Sequence, residues 1–249
     1  MDRGRGVIGG ANQLLDALPA DEYQRLLPRL RAVFVEIKTV LFEAGAPIAQ
    51  VDFPRNCVVS LVTPLQDGAV VEVATVGNEG IVGVPLLRGG ALTFRAVCSV
   101  AGWCDRLDAP TFLSEVERAG PLRDLIDDYL QALFGQISQA AACNRLHSNE
   151  ERLSRWLLIS QDRVRTDEFA ITHEYLAHML GSRRATVSRS AGILQAARLI
   201  TYHRGRVTIV DRAALEATAC ECYGTIEREL EGVVQRAFGR SSSGTVPPT

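Results

Sequence analysis

The sequence predicts an α+β chain: an all-β N-terminal region, then one long helix, then a C-terminal winged helix-turn-helix. Three observations carry that reading. Short β-rich runs punctuated by turn residues fill positions 31–108, a seam of residues at steps of four and three follows, and basic charge gathers beyond residue 171.

The chain opens with helical spacing from Asn12 to Leu30, in which Leu14, Leu15 and Leu18 precede a break at Pro19 and Tyr23, Leu26 and Leu27 follow it. From Arg31 to Asp108 the style changes to short runs such as Val33-Phe34-Val35-Glu36-Ile37, Cys57 to Val62, Val70 to Val76 and Arg95 to Val100. Between them lie the turn signals Glu43-Ala44-Gly45, Gln66-Asp67-Gly68, Gly77-Asn78-Glu79-Gly80 and Arg88-Gly89-Gly90. Many short strands without a βαβ crossover argue for an all-β sandwich or barrel.

From Ala109 onward the pattern turns helical. Leu122, Ile126, Tyr129, Leu133, Ile137, Ala140 and Asn144 recur at heptad spacing. A helix this long, between an all-β and an all-α region, is read as a dimer seam in preference to packing on its own domain.

Residues 150–212 carry most of the function. Glu150 to Ser160 reads as an amphipathic helix with Leu153, Trp156, Leu157 and Leu158 apolar, and Asp162 to Ala170 as a polar connector. Thr172 suits the N-cap of a helix from His173 to Leu180 whose Leu176, Ala177 and Leu180 face inward. Gly181 ends that helix, and Ser182 suits the N-cap of a second, Arg183 to Ala197, with Val187, Ala191 and Leu194 inward. The second helix carries Arg183, Arg184, Thr186, Ser188 and Arg189 at its start, as a helix entering a major groove would. Arginine there can donate two hydrogen bonds to guanine, and Thr172 and Ser182 can help hold phosphate oxygens. Leu199 to His203, the turn Arg204-Gly205, and Arg206 to Val210 read as a β-hairpin wing whose Arg204 and Arg206 reach the sugar-phosphate backbone.

The net charge of the whole chain is −2. From Ile171 to Arg212, however, seven arginines face two acids, giving 7 − 2 = +5. A docking module that had abandoned DNA would not need that patch, which favours DNA over the alternative reading of a protein–protein adaptor; steep loss of nucleic-acid affinity with added salt separates the two. A cupin-like enzyme is the weaker rival. All four histidines (147, 173, 178 and 203) fall outside the β region, where a cupin would place its metal ligands.

The 249 residues, 47% hydrophobic, are enough for one large or two modest domains. Met1 to Gly10 has no signal-peptide core, and no apolar run reaches the roughly 18 residues that span a bilayer, so a cytoplasmic protein without membrane contact is expected. Six scattered cysteines (57, 98, 104, 143, 220 and 222) read as buried small hydrophobes. Cys220-Glu221-Cys222, with no histidine near it in sequence, is read as structural and not as a metal site; no metal site and no cofactor is identifiable.

The order of parts resembles the Crp/Fnr superfamily of bacterial regulators over about residues 14–220. The sharpest pieces are Glu151-Arg152-Leu153-Ser154-Arg155-Trp156-Leu157-Leu158 and Leu180-Gly181-Ser182-Arg183-Arg184-Ala185-Thr186-Val187-Ser188-Arg189. Leu41-Phe42-Glu43-Ala44-Gly45 and Val76-Gly77-Asn78-Glu79-Gly80-Ile81-Val82-Gly83 are similar to the family's β-roll turns. The resemblance implies a jelly-roll, cyclic-nucleotide-binding-like β-roll sensor at 12–115, a dimerisation helix at 116–146, a winged helix-turn-helix at 147–222 and a helical or disordered tail at 223–249. It also implies a homodimer that binds double-stranded DNA to regulate transcription, with RNA polymerase as a further partner.

The departures from the family pattern bear on the effector. Gly83, Val84, Arg88, Thr93 and Arg95 mark the candidate effector pocket. After Gly83 stand Val84 and Pro85 where cyclic-AMP-responsive members carry a ribose-binding Glu, and Leu92-Thr93 falls where they carry the phosphate-binding Arg. Cyclic AMP is therefore not expected to bind in the usual way. No cysteine precedes Cys57, which argues against the family's N-terminal iron–sulfur cluster, and no histidine in the sensor half offers a haem ligand. In the reader, Ala185 replaces the family's acidic base contact between Arg184 and Arg189.

Overall fold

Two antiparallel sheets face each other across an apolar interior in the computed structural model, which describes residues 12–66, 68–88 and 92–243. Met1 to Gly10, the tips of two predicted turns (Asp67; Gly89 and Gly90), the side chain of Arg88 and the last six residues of the tail lie outside the described residues. One sheet has the order β1-β7-β3, from Arg31–Val35, Gly102–Asp108 and Gln50–Pro54. The other has the order β2-β6-β4-β5, from Val40–Phe42, Arg95–Val100, Val58–Pro64 and Val70–Val76. Strand alternation explains how β4 serves two layers: Val59 and Leu61 point into the sheet interior, Val58 and Val62 out toward the C-terminal domain.

Two short helices, α1 (Gln13–Asp16) and α2 (Ala20–Leu26), precede the sheets. Asn12 fastens them: its oxygen caps Leu14 and Leu15, and its amide donates to the carbonyls of Pro54 and Gly80 at 2.9 and 2.8 Å. After the sheets, α3 (Ala109–Glu117) ends in a break at residues 118–120, and the long helix α4 runs Pro121–Leu146. The break moves the start of the long helix later than the expected 116, because Ala119 takes a left-handed φ of 54° and Pro121 opens the next helix.

The predicted dimer seam requires correction. Leu122, Ile126, Tyr129, Leu133 and Ala140 are buried within this one chain; the first four join the sheet domain's own core, and Ile137 packs on it half-buried. Only Asn144 is exposed, and its oxygen accepts from Arg152 at 2.8 Å. Heptad spacing marks an apolar stripe but not what covers it, and here the sheet and the C-terminal helix cover it.

That C-terminal helix, α9 (Cys222–Ser243), follows the short α8 (Arg212–Thr218) and runs back antiparallel along α4, burying Ile226, Leu230, Val233 and Ala237. Glu229 lies over Gly135 and Arg236 pairs with Asp128 at 3.5 Å. The tail is thus part of the core. Among the described residues, no helix is long and apolar enough to cross a membrane.

Helix α5 (Asn149–Val164) lies between the sheet domain and the rest of the C-terminal domain. The predicted amphipathic helix is instead buried on all sides, arginines 152, 155 and 163 included, because it is covered from both directions. A capping box starts it: Ser148 accepts from the Glu151 amide at 3.3 Å while the Glu151 carboxylate accepts from the Ser148 amide at 2.7 Å.

Candidate nucleic-acid interface

The reader is assembled by local signals. Thr172 Oγ1 accepts from the Tyr175 amide at 3.1 Å, starting α6 (His173–Met179). Gly181, at φ +56°, ends it, and the Ser182 amide then donates to the Ala177 carbonyl at 2.9 Å, a left-handed helix stop that favours glycine. The second helix, α7 (Arg184–Ala196), begins after Arg183, which occupies the N-cap position without capping. Ser182 therefore does not cap α7; its hydroxyl bonds Asn149 Oδ1 at 2.5 Å and ties the turn to α5. Val187, Ala191 and Leu194 are buried at helical spacing, which fixes the opposite face outward.

On that outer side Arg183, Arg184, Ala185 and Arg189 are exposed, and among the described residues no ion pair engages these arginines. Thr186 and Ser188 are half-buried. Ser188 Oγ lies 3.0 Å from His173 Nδ1, and the His173 ring stacks on Tyr202 at 4.1 Å. Burial, with the nearby Arg184 charge second, lowers the imidazole pKa and so favours the uncharged ring. Ser188 thus helps brace the reader against the wing through His173. Neither His173 nor Tyr202 was legible as a support, since they lie 29 residues apart and meet only through the fold.

The wing pairs β9 (Ile200–His203) with β10 (Arg206–Ile209), and β8 (Glu168–Ala170), inside the supposed polar connector, adds a third strand in the order β8-β10-β9. Arg204 (φ 48°) and Gly205 (φ 77°) both adopt the left-handed conformation of the two-residue turn. Arg204 is exposed. Arg206 donates to Glu168 Oε1 at 2.5 Å, and Arg212 pairs with Asp162 at 2.7 Å and Glu216 at 2.8 Å. The net +5 therefore overstates the free cationic charge, because acids outside the counted window hold two of its arginines.

Among the described residues, the candidate effector positions do not form one polar surface. Gly83 is buried at φ +100°, where a Cβ would stand 2.9 Å from the Gln50 carbonyl oxygen, and Val84 is packed in the core. Thr93 is exposed, and Arg95 lies 3.9 Å from Glu43.

The residues that could hold a metal lie elsewhere. Cys143, His147, Cys220 and Cys222 bring their ligand atoms within 4.8 Å of one another. The premise that no histidine stands near Cys220-Glu221-Cys222 fails in three dimensions: His147 Nδ1 is 3.5 Å from Cys222 Sγ. Its sequence signal, a Cys-x-x-x-His step ending a long helix, becomes visible only once α9 is known to fold back onto α4.

A helix-turn-helix pair with exposed arginines on the second helix, backed by a hairpin wing, defines a DNA-binding transcription regulator, a class distinct from enzymes. Residues 151–218 match the Crp-like helix-turn-helix domain, and most of the chain shares its fold with solved regulators of the Crp/Fnr family. It is 28% identical over 203 residues to the global nitrogen regulator of Synechocystis sp., covering 76% of this chain and 88% of that protein. A CRP-family transcriptional regulator of Thermus thermophilus shares the fold at a TM-score of 0.59 and 22% identity, covering 76% of this chain and 96% of that one. FixK2 of Bradyrhizobium japonicum does so at 0.63 and 14% identity, covering 77% and 98%.

Proposed function

We propose that the protein acts in the cytoplasm as a homodimer that binds a near-palindromic site in double-stranded DNA. Arg184 and Arg189 meet base edges, Arg204 meets the backbone, and Ala185 offers a methyl group where a carboxylate would accept from cytosine. The observation that carries this reading is the exposure of Arg183, Arg184, Arg189 and Arg204, free of ion pairs among the described residues, on the helix and wing that His173 and Tyr202 brace together.

The dimer face is shifted from the seam that heptad spacing suggests. Phe134 is 72% exposed on α4, and Ser138, Ala141 and Arg145 continue its exposed stripe at steps of four, three and four. The small residues let two helices approach closely around the aromatic ring, with Ile137 beside it. Paired in this way, two readers would fall about one DNA turn apart.

Cyclic AMP does not suit the sheet domain, since Gly83 and Val84 are packed inward and an apolar Val84 stands where a ribose-binding Glu would be. A signal in the sheet domain would shift a population between two dimer geometries. Contact with RNA polymerase follows from the family resemblance alone.

The test is selection of genomic fragments by the purified protein at near-physiological salt, alongside Arg184→Ala/Arg189→Ala. Enrichment of a near-palindromic motif that the double variant loses is the expected result. Enrichment that survives the double substitution would overturn the assignment of the reader.

A further inference from the structure

We propose that Cys143, His147, Cys220 and Cys222 form a tetrahedral site for a zinc-class divalent cation, which fastens the hinge between the long helix and the DNA-binding domain. The geometry already matches the ion. Around a tetrahedral centre with a metal–sulfur distance of about 2.3 Å and a metal–nitrogen distance of about 2.0 Å, sulfurs lie about 3.8 Å apart and sulfur and nitrogen about 3.5 Å. Here Cys143 Sγ and Cys220 Sγ are 3.5 Å apart, as are Cys222 Sγ and His147 Nδ1. All four ligand atoms fall within 4.8 Å, close enough to share one ion. An iron–sulfur cluster, whose ligands are divided among several irons, would need them spread more widely. A thiolate-rich set with one imidazole favours zinc over harder cations.

The surroundings are those of a supported site. The second nitrogen of His147 lies 3.1 Å from Glu221 Oε2, so a carboxylate orients the ring with Nδ1 toward the sulfurs. Gln139 Nε2 donates to Cys222 Sγ at 3.0 Å. The three cysteines are buried in a cluster of their own, apart from the two main cores. Three thiolates around a divalent cation leave a net negative charge. Arg152 and Arg155, both buried on α5 and acting electrostatically on Cys143, offset it. Each also has an Nε without a hydrogen-bond partner among the described residues.

The position gives the site its consequence. His147 is the C-cap of α4, Ser148 the N-cap of α5, and Cys220 and Cys222 stand where α9 begins. One ion would therefore join the end of the long helix to the helix that lies along it, at the point where the chain turns into the DNA-binding domain. Arg152 continues the link, donating both to Asn144 Oδ1 on α4 and to the Leu180 carbonyl beside the reader's turn. Occupancy would thus bear on how firmly the reader is held against the long helix.

The experiment is elemental analysis of the full-length protein purified under reducing conditions, followed by chelation and reloading with zinc or cobalt(II) alone. About one zinc per chain is expected, and cobalt loading should give the intense sulfur-to-metal charge-transfer and visible bands of tetrahedral thiolate coordination. Cys143→Ser and His147→Ala should each lower zinc affinity at least 10-fold, whereas Cys57→Ser, in the sheet interior, should leave it unchanged. Absence of stoichiometric metal with octahedral cobalt spectra would overturn the site. So would loss of two mass units marking a Cys143–Cys220 disulfide in protein that no longer takes up metal after reduction. Metal content is read without DNA, so this result is separable from the DNA-binding reading. On a selected site, chelation should change affinity several-fold, and reloading should restore it. Unchanged affinity would remove the hinge role and leave a purely structural ion.

Discussion

The indole Nε1 of Trp156 donates to Glu72 Oε2 at 3.3 Å, across the joint between the sheet domain and the DNA-binding domain. Glu72 also accepts from Ser60 at 2.5 Å. Desolvation raises its pKa to about 7, against the opposing pull of the Ser60 bond, Arg155, the Trp156 bond and Arg163. A carboxyl group at this joint is therefore near its midpoint at neutral pH. Because the folded pKa lies above the unfolded value, the contribution is fully present below about pH 4.5 and is lost as pH rises through about 7. The whole effect is bounded at about 3 kcal/mol. Urea midpoints should fall between pH 5 and 8, and Glu72→Gln should flatten the slope. Glu227, also raised to about 7 by burial, accounts for any slope that remains, which Glu72→Gln/Glu227→Gln should remove. An undiminished slope in the double variant would show that neither carboxyl is the source.

Base reading and backbone holding should separate by salt and sequence. Arg184→Ala and Arg189→Ala should each cost about 1–3 kcal/mol on the selected site and little on random DNA. Arg204→Ala should weaken both alike and lower the salt slope by about one. Arg206→Ala should have the smaller effect of the two wing substitutions, because Glu168 already engages that guanidinium. Titrations on specific and random duplexes at several salt concentrations check this; equal losses for Arg184→Ala on both duplexes would refute it.

Thr172 has a structural duty whatever it does for phosphate. Its hydroxyl oxygen caps α6 at the Tyr175 amide. Thr172→Ala should lower unfolding free energy by about 1 kcal/mol, and Thr172→Ser should retain most of it. Chemical denaturation without DNA measures this, and an unchanged midpoint in Thr172→Ala would discount the cap.

Local signals were read well and distant ones poorly, for a physical reason. The strands Val70–Val76 and Arg95–Val100, the cap at Thr172, the stop at Gly181 and the wing turn at Gly205 were legible because each is decided by neighbouring residues. The capping box at Ser148 and Glu151 had a four-residue signature but went unread. Strand Gly102–Asp108 was not singled out, since Asp105 and Arg106 interrupt its apolar pattern; the fold accommodates them by pairing Asp105 with Arg55 and Arg106 with Asp52. What short windows could not supply was partnership: which face of α4 meets the sheet, where α9 docks, and that His147 stands beside Cys222 across 75 residues. Burial on all sides of α5 was hidden for the same reason, because its arginines read as solvent-facing until both covering layers are known.

The adjacent residues Leu133 and Phe134 put the two faces of the long helix to the test. Leu133 is 6% exposed and sits in the sheet domain's core, whereas Phe134 is 72% exposed. Leu133→Ala should lower unfolding free energy by about 2–5 kcal/mol through the cavity it leaves. Phe134→Ala should change the stability of the isolated chain by no more than about 0.5 kcal/mol. Its effect should instead fall on association. Phe134→Glu, which sets two like charges against each other across a two-fold axis, should leave a monomer in sedimentation velocity at concentrations where the wild type is dimeric. Affinity for a two-half-site duplex should then fall toward that for a single half-site, because the second reader is no longer delivered with the first. If Phe134→Glu remained dimeric while Leu133→Ala dissociated without loss of stability, the seam would lie where heptad spacing first placed it.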